Sequence, residues 1–161
     1  MLTSRRDYLL RIIDEVGRIL ARIAFKRREG ADQQALETVV LGFERLFSLD
    51  ADQIFQLTPD QQFAMLADDE SAEFARDKVL LYAALSAEAG RAYAKLGNSA
   101  MARATFINAL RFTLKARALF PVTNLPDYAP NVSELLAALK DVPLDADTIA
   151  LINADPTAAS Q

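Results

Sequence analysis

The 161-residue sequence contains no cysteine, no histidine and no tryptophan. The absence of cysteine excludes disulfides and thiol chemistry, and the absence of histidine excludes imidazole as a general acid or base. Zinc and haem sites with their usual ligands are excluded for the same reason. We therefore predict no cofactor, no metal site and no enzymatic activity.

Carboxylates are the remaining candidates for metal binding or catalysis. Asp145 and Asp147 have the spacing of calcium ligands, but the segment lacks the glycine and the closing glutamate of a calcium-binding loop. The cluster Asp68, Asp69 and Glu70 lies where the start of a helix favours negative charge. We interpret both groups as helix caps, with a carboxylate-only magnesium or calcium site as the alternative for the first group and a catalytic site as the alternative for the second.

Long uncharged stretches are also missing. The longest, residues 79–87 and 118–126, have nine residues each, whereas a membrane-spanning helix needs about 20 apolar residues. Arg11, Asp14 and Glu15 interrupt any apolar core of a secretory signal at the N-terminus. We therefore expect a cytoplasmic protein with no membrane segment.

Apolar residues recur at steps of three and four along the chain, the pattern of amphipathic helices. We predict a single all-α domain of six to seven helices over residues 1–155, followed by a disordered tail at 156–161. Alternating β-branched runs, which would indicate strands, do not occur. Capping residues, glycines and prolines place the helices at residues 5–28, 32–48, 59–67, 72–96, 99–120, 131–141 and 147–153.

One part of this pattern has the spacing of a stacking helical repeat. Gly90, Tyr93, Ala102, Phe106 and Ala109 match the order G-x2-Y-x8-A-x3-F-x2-A, and in these positions the segment resembles a tetratricopeptide repeat. The resemblance implies that the small residues let two helices approach closely while the aromatic rings fill the space beside them.

The resemblance covers one helical hairpin, residues 72–120, whose two helices are joined by only two residues and must fold back on each other. Ser86, Ala89 and Leu114 depart from the family, which prefers tryptophan, leucine and proline at these positions. The unit is therefore atypical, and an ordinary helical hairpin in a bundle is the alternative.

A fainter copy of the repeat lies upstream. Gly30, Ala35, Val39 and Gly42 reproduce the spacing of the second half of the hairpin, which suggests an array of two hairpins, one degenerate. The opening helix, RDYLLRIIDEVGRILARI, also resembles that of a group of small bacterial proteins with a repeat-like C-terminal half. That resemblance implies a bacterial, soluble, all-helical protein and no particular activity.

Charge is distributed in blocks along the chain. The net charge is +4 over residues 1–31, −9 over 32–88, +6 over 89–126 and −5 over 127–161. No acidic residue interrupts the third block. Nucleic acid is a poor partner, because the sequence pI is near 4.9 and no aromatic residues alternate with the basic ones.

The basic block predicts a binding surface for an acidic peptide or a C-terminal carboxylate. Arg91 and Lys95 lie on the first helix of the hairpin, and Arg111 and Lys115 form a stripe on the second. The alternative is that the basic and acidic blocks face each other, either within the fold or across a dimer.

The first predicted helix has more apolar width than one neighbour can bury. Leu9, Ile13, Val16 and Leu20 form one side of its stripe, and we predict that they form a homodimer interface. The alternatives are that the stripe packs in the core of the chain, and that the C-terminal helices from Asn131 onward cap the array of a monomer. A membrane-surface helix is a weaker alternative, because acidic residues dilute the polar face.

Together these features predict a non-catalytic protein–protein interaction or scaffolding module. The alternative function is a small-molecule-binding protein, or an enzyme that uses a carboxylate site within the helical bundle.

Overall fold

The structure, a computed structural model, describes the backbone of residues 2–159 and the side chains of 4–158. Within these residues there are nine helices and no strand, so the predicted all-α fold is confirmed. The helices are α1 Leu2–Arg28, α2 Asp32–Phe47, α3 Ala51–Phe55, α4 Pro59–Ala67, α5 Ala72–Lys95, α6 Ser99–Leu119, α7 Val132–Ala138, α8 Ala146–Ala154 and α9 Pro156–Ala159.

Capping residues fix the helix ends close to the predicted positions. The Thr58 hydroxyl accepts a hydrogen bond from the Gln61 backbone N–H, and the Gln61 side chain accepts one from the Thr58 N–H. This reciprocal capping box starts α4, with Pro59 in the first turn. At the start of α6 the Asn98 side chain accepts the Met101 N–H.

The sequence pattern does not predict two of the short helices. Helix α3 has five residues and begins with a capping box between Asp50 and Gln53, and it is too short to show a helical periodicity. Helix α9 lies where we expect a disordered tail, and it begins where the Asp155 carboxylate accepts the Ala158 N–H. Ala158 is buried. Residues 160–161 of the expected tail lie outside the described residues.

Two helical hairpins form the centre of the fold. Helices α1 and α2 form the first and α5 and α6 the second, and α5 packs against both helices of the first hairpin. Helix α4 packs against α5, whereas α7 and α8 pack against α6. The larger hydrophobic core lies between the hairpins, and the smaller one lies between the second hairpin and the C-terminal helices.

The two hairpins close with the same turn. Gly30 and Gly97 have φ angles of 78° and 80°, a left-handed conformation that glycine adopts without steric cost. At the first turn the Ala31 N–H donates to the Lys26 carbonyl, and at the second the Asn98 N–H donates to the Tyr93 carbonyl, both at 2.9 Å. Both α1 and α5 therefore end in a Schellman motif.

Two other glycines allow close contact between elements. A Cβ atom on Gly90 would lie 2.7 Å from the ring of Phe106, and one on Gly42 would lie 2.7 Å from the Leu85 side chain. The contact between Gly90 and Phe106 is the close approach of α5 and α6 that the sequence spacing predicts. Gly42 provides the corresponding approach of α2 to α5.

Replacing Gly90 or Gly42 with alanine should lower the free energy of unfolding by about 1–3 kcal/mol, because the added methyl group overlaps a packed side chain. Gly17→Ala is the control, since a Cβ atom there meets no atom within 4 Å. That change should stabilise α1 by about 0.5–1 kcal/mol. Urea denaturation followed by circular dichroism measures all three variants, and equal stability of Gly90→Ala and Gly17→Ala would contradict the close approach.

Candidate interaction groove

A groove follows the seam between α1 and α5. It contains two depressions in line, of about 340 Å³ and about 300 Å³. The first is lined by Arg5, Arg6, Leu9, Leu10, Ile13, Asp69, Glu70, Ser71, Glu73, Phe74 and Asp77. The second is lined by Leu20, Ala84, Ala87, Glu88, Arg91, Asp127, Tyr128, Ala129, Pro130, Asn131 and Glu134. We call this surface the α1–α5 groove.

The floor of the groove is apolar and set by small residues. Gly17 lies one helical turn from Ile13 and from Leu20, so it lies on the same face of α1 and between the two depressions. A side chain at Gly17 would meet no atom within 4 Å. Ala84 and Ala87 supply the floor on the α5 side.

The far wall of the second depression is the segment between α6 and α7, and a buried arginine holds this segment in place. Arg76 of α5 is 3% exposed. Its guanidinium donates hydrogen bonds to the backbone carbonyls of Pro121 (3.0 Å) and Thr123 (2.9 Å) and to the carboxylate of Asp77 (2.9 Å). Burial raises the pKa of Asp77, although the hydrogen bond from Arg76 opposes this.

Tyr128 of the same wall has a buried hydroxyl with no hydrogen-bond partner among the described residues. Burial raises its pKa, and the nearby Asp77 carboxylate raises it further. Because Asp77 lines the first depression and Tyr128 the second, these side chains connect the two parts of the groove.

Carboxylates outnumber cations along the groove, with seven acidic side chains and three arginines in its lining. Several of the less exposed carboxylates are neutralised within the chain. Asp69 lies 3.3 Å from the Lys78 ammonium, and Glu88 pairs with both Arg27 and Arg91.

Three carboxylates of the lining are exposed and have no ion pair within the described part of the chain. They are Glu70, Glu73 and Asp127. Of the two arginines at the N-terminal end, Arg5 lies 3.8 Å from Asp69, whereas Arg6 lies over the ring of Phe74. The unpaired charge that remains at the edges of the groove is mainly negative.

The basic residues predicted to bind a partner do not form one site. Arg91 lies in the α1–α5 groove, where its guanidinium is 3.2 Å from Glu88 and 3.7 Å from Glu134. Lys95 lies exposed in the last turn of α5. The stripe on α6 faces other neighbours.

Arg111 and Lys115 of that stripe are held by different elements. The Arg111 guanidinium lies 3.4 Å from the Asp145 carboxylate. The Lys115 ammonium lies 3.3 Å from Asp60 and 4.9 Å from the ring centre of Phe63.

Four of the six cations of the basic block, Arg91, Arg111, Lys115 and Arg117, thus lie beside carboxylates of the same chain, and these carboxylates belong to both acidic blocks. Lys95 and Arg103 have no ion pair among the described residues.

The residues predicted to form a homodimer interface are largely inside the single chain. Leu9, Val16 and Leu20 are buried, with Val16 at 0% exposure, and Ile13 is half-buried on the floor of the groove. The physical reason is that α1 is covered by two helices of its own chain, α2 and α5. Leu9, Val16 and Leu20 are therefore not accessible for an interface in this fold, whereas Ile13 is partly accessible, and the homodimer itself stays a prediction.

Of the acidic groups interpreted as caps, Asp145 caps a helix, whereas α5 is capped by Ser71, which follows the acidic cluster at 68–70. The Asp145 carboxylate accepts the Thr148 N–H at 2.7 Å at the start of α8, and its hydrogen bonds to Thr148 lower the pKa of Asp145. Asp69 accepts the Ser71 N–H at 3.0 Å. Among the described residues, no three acidic side chains are arranged to hold a metal ion. None of the helices described is long and apolar enough to cross a membrane.

The sequence did not indicate the groove or its free carboxylates. Glu70 and Glu73 were visible only as negative charge near the start of a helix, and Asp127 only as part of a proline-rich loop. Only the tertiary structure shows that these three carboxylates share one groove, because residue 127 lies on the opposite wall from residues 70 and 73.

No protein family, curated protein or solved structure matches the chain. The function is therefore inferred from the shape and charge of the site itself.

Two tyrosine variants test the unpartnered hydroxyl of the groove wall. Tyr128→Phe should leave the free energy of unfolding unchanged or raise it by up to about 1 kcal/mol, because it removes a buried group without a partner. Tyr82→Phe, the matched control, should lower it by about 1–2 kcal/mol, because the Tyr82 hydroxyl donates to the buried Gln62 side chain at 2.7 Å. Thermal and urea unfolding measure both, and a large loss in Tyr128→Phe would show that its hydroxyl has a partner.

Proposed function

We propose that the chain is a non-catalytic interaction module that holds a segment of a partner protein in the α1–α5 groove. The observation that carries this proposal is the groove itself, which runs along the first helix of each hairpin with an apolar floor and charged edges. Surfaces with an apolar centre and a polar rim are typical of protein interfaces.

The arrangement of the hairpins supports the proposal. The two turns have the same hydrogen-bond pattern, and α5 contacts both helices of the preceding hairpin. Stacked helical hairpins of this kind serve as binding surfaces in solenoid proteins. The resemblance of the second hairpin to a tetratricopeptide repeat remains an expectation and agrees with this role.

The acidic peptide suggested by the basic block is not part of the proposal. Arg91, Arg111 and Lys115 already contact carboxylates of the chain, so an acidic partner would have to displace them. Lys95 alone does not make a recognition site.

Filling the groove should abolish partner binding. In Gly17→Trp the indole ring occupies the space between the two depressions, because a Cβ atom at this position has no other atom within 4 Å. Ala104→Trp adds the same ring at an exposed position of α6 outside the groove lining and is the control. Each chain is used to capture proteins from a lysate of the source cells, and quantitative mass spectrometry identifies them. We expect the unsubstituted chain and Ala104→Trp to capture the same partner and Gly17→Trp to capture none of it.

The outcome that contradicts the proposal is an identical set of captured proteins for all three chains. Circular dichroism of each variant confirms that the helical fold is retained before the comparison is made.

The second candidate function is small-molecule binding, and one cavity favours it. A cavity of about 250 Å³ lies between α5, α6 and the segment that follows, with Arg76 and Arg117 as its charged lining. Arg76 is already committed to backbone carbonyls. Arg117 has a longer contact, 3.7 Å to the Asp155 carboxylate, and is the cation that a ligand would use.

A thermal-shift screen over metal ions and metabolites separates the two functions. A ligand of the folded state at 100 times its Kd stabilises it by about 2.7 kcal/mol, which raises the melting temperature by several degrees. We expect no such shift, and a shift that disappears in Arg117→Ala would favour the small-molecule function instead.

A further inference from the structure

We infer that the segment recognised by the α1–α5 groove is a basic amphipathic helix of about four turns. The inference rests on the proposed function and adds the chemistry of the partner, which is opposite in sign to the one that the basic block of the sequence suggests.

Charge complementarity indicates that the partner segment is positively charged. At the N-terminal end of the groove Glu70 and Glu73 are exposed and unpaired within the described residues, and Asp127 is in the same state on the opposite wall. Arg91 is shared between Glu88 and Glu134, and Arg5 lies 3.8 Å from Asp69. Arg6 is then the one arginine of the lining without an ion pair among the described residues, and the three free carboxylates outnumber it. Lysine or arginine side chains at both ends of a partner would complete the ion pairs.

The length of the groove sets the length of the partner. On α5 the lining extends from Glu73 to Arg91, about 27 Å of helix. On α1 it extends from Arg5 to Leu20, about 22 Å. A partner helix of about 15 residues spans the shorter of these distances.

The form of the floor favours a helix over an extended strand. The lining residues Leu10, Ile13 and Leu20 recur at helical spacing along α1, with Gly17 between the last two, and Ala84 and Ala87 do so on α5. Leu10, Ile13 and Phe74 carry the accessible apolar surface, because the other apolar side chains that the two helices contribute to the lining are buried. Two neighbouring helices present a furrow into which the side-chain ridge of a third helix packs. An apolar stripe with basic flanks is the partner that this furrow fits.

Fluorescence anisotropy with labelled peptides tests the inference. The probe is a fluorescein-labelled peptide of about 16 residues, built of leucine and lysine with the leucines at helical spacing. Its twin carries glutamate in place of every lysine. We expect the lysine peptide to bind the full chain, with an affinity that falls as salt is raised, and the glutamate peptide not to bind.

Two triple variants of equal net charge locate the binding site. The groove variant is Glu70→Gln, Glu73→Gln and Asp127→Asn. The control variant is Glu29→Gln, Glu37→Gln and Asp141→Asn, which removes the same charge from exposed positions outside the groove lining. The groove variant should bind the lysine peptide about tenfold more weakly than the control, as expected for the loss of three surface ion pairs.

Each other result overturns the inference. Equal weakening in both variants would mean unspecific attraction to a negatively charged protein. Failure of the lysine peptide to bind, or binding undisturbed by Gly17→Trp, would exclude a basic helix in the groove. If the glutamate peptide binds and this binding is lost in Gly17→Trp, the partner is acidic and not basic. That result would overturn the inference but agree with the proposed function. A further measurement uses the protein itself, labelled with fluorescein and without peptide. If its anisotropy rises with protein concentration, a second copy of the chain occupies the groove.

Discussion

Helix α5 packs against α1, α2, α4 and α6, and fourteen of its 24 residues are buried. A helix can be surrounded in this way only if its neighbours approach closely, and close approach requires small side chains at the contacts. Gly90 meets the ring of Phe106 in this manner, while Gly42 of α2 meets Leu85. Larger residues of α5, such as Tyr82, are accommodated where aromatic rings of other elements stack around them.

Burial of α5 also determines where charge can lie. Arg76 is enclosed with the helix, and its guanidinium is satisfied by backbone carbonyls of the segment after α6 and by Asp77. A buried guanidinium without such partners would be strongly destabilising, so the segment is fixed along α5. The fixed segment then supplies the far wall of the groove, with Tyr128 and Asp127 in it. The wall of the second depression is thus a consequence of how one buried cation is hydrogen-bonded.

The helices could be predicted from the sequence because their signals are local. Thr58 and Gln61 are three residues apart, and the stop at Gly97 depends on its own backbone angle. The binding surface could not be predicted, because the net charge of a sequence segment does not show towards which neighbouring element each charged side chain points. Helical winding turns Arg91 towards the groove and Arg111 towards α8, so a continuous basic block in the sequence becomes separate ion pairs in the fold.

The same limitation explains the apolar stripe of α1, which looked too wide for one neighbour. It has two neighbours, α2 and α5, and the periodicity alone could not show that both lie within the chain.

Polar contacts join α1 to α2 within the first hairpin, including the Glu15–Arg45 ion pair and the bond from Lys26 to Thr38 at 3.1 Å. On the far side of the second hairpin, α7 and α8 cover α6 with a second hydrophobic core. Within the described residues, the side along α1 and α5 has no such cover. Leu10 and part of Ile13 are accessible there, beside carboxylates that lack partners in the described part of the chain. The proposed partner helix would bury this apolar surface and neutralise charge in one contact.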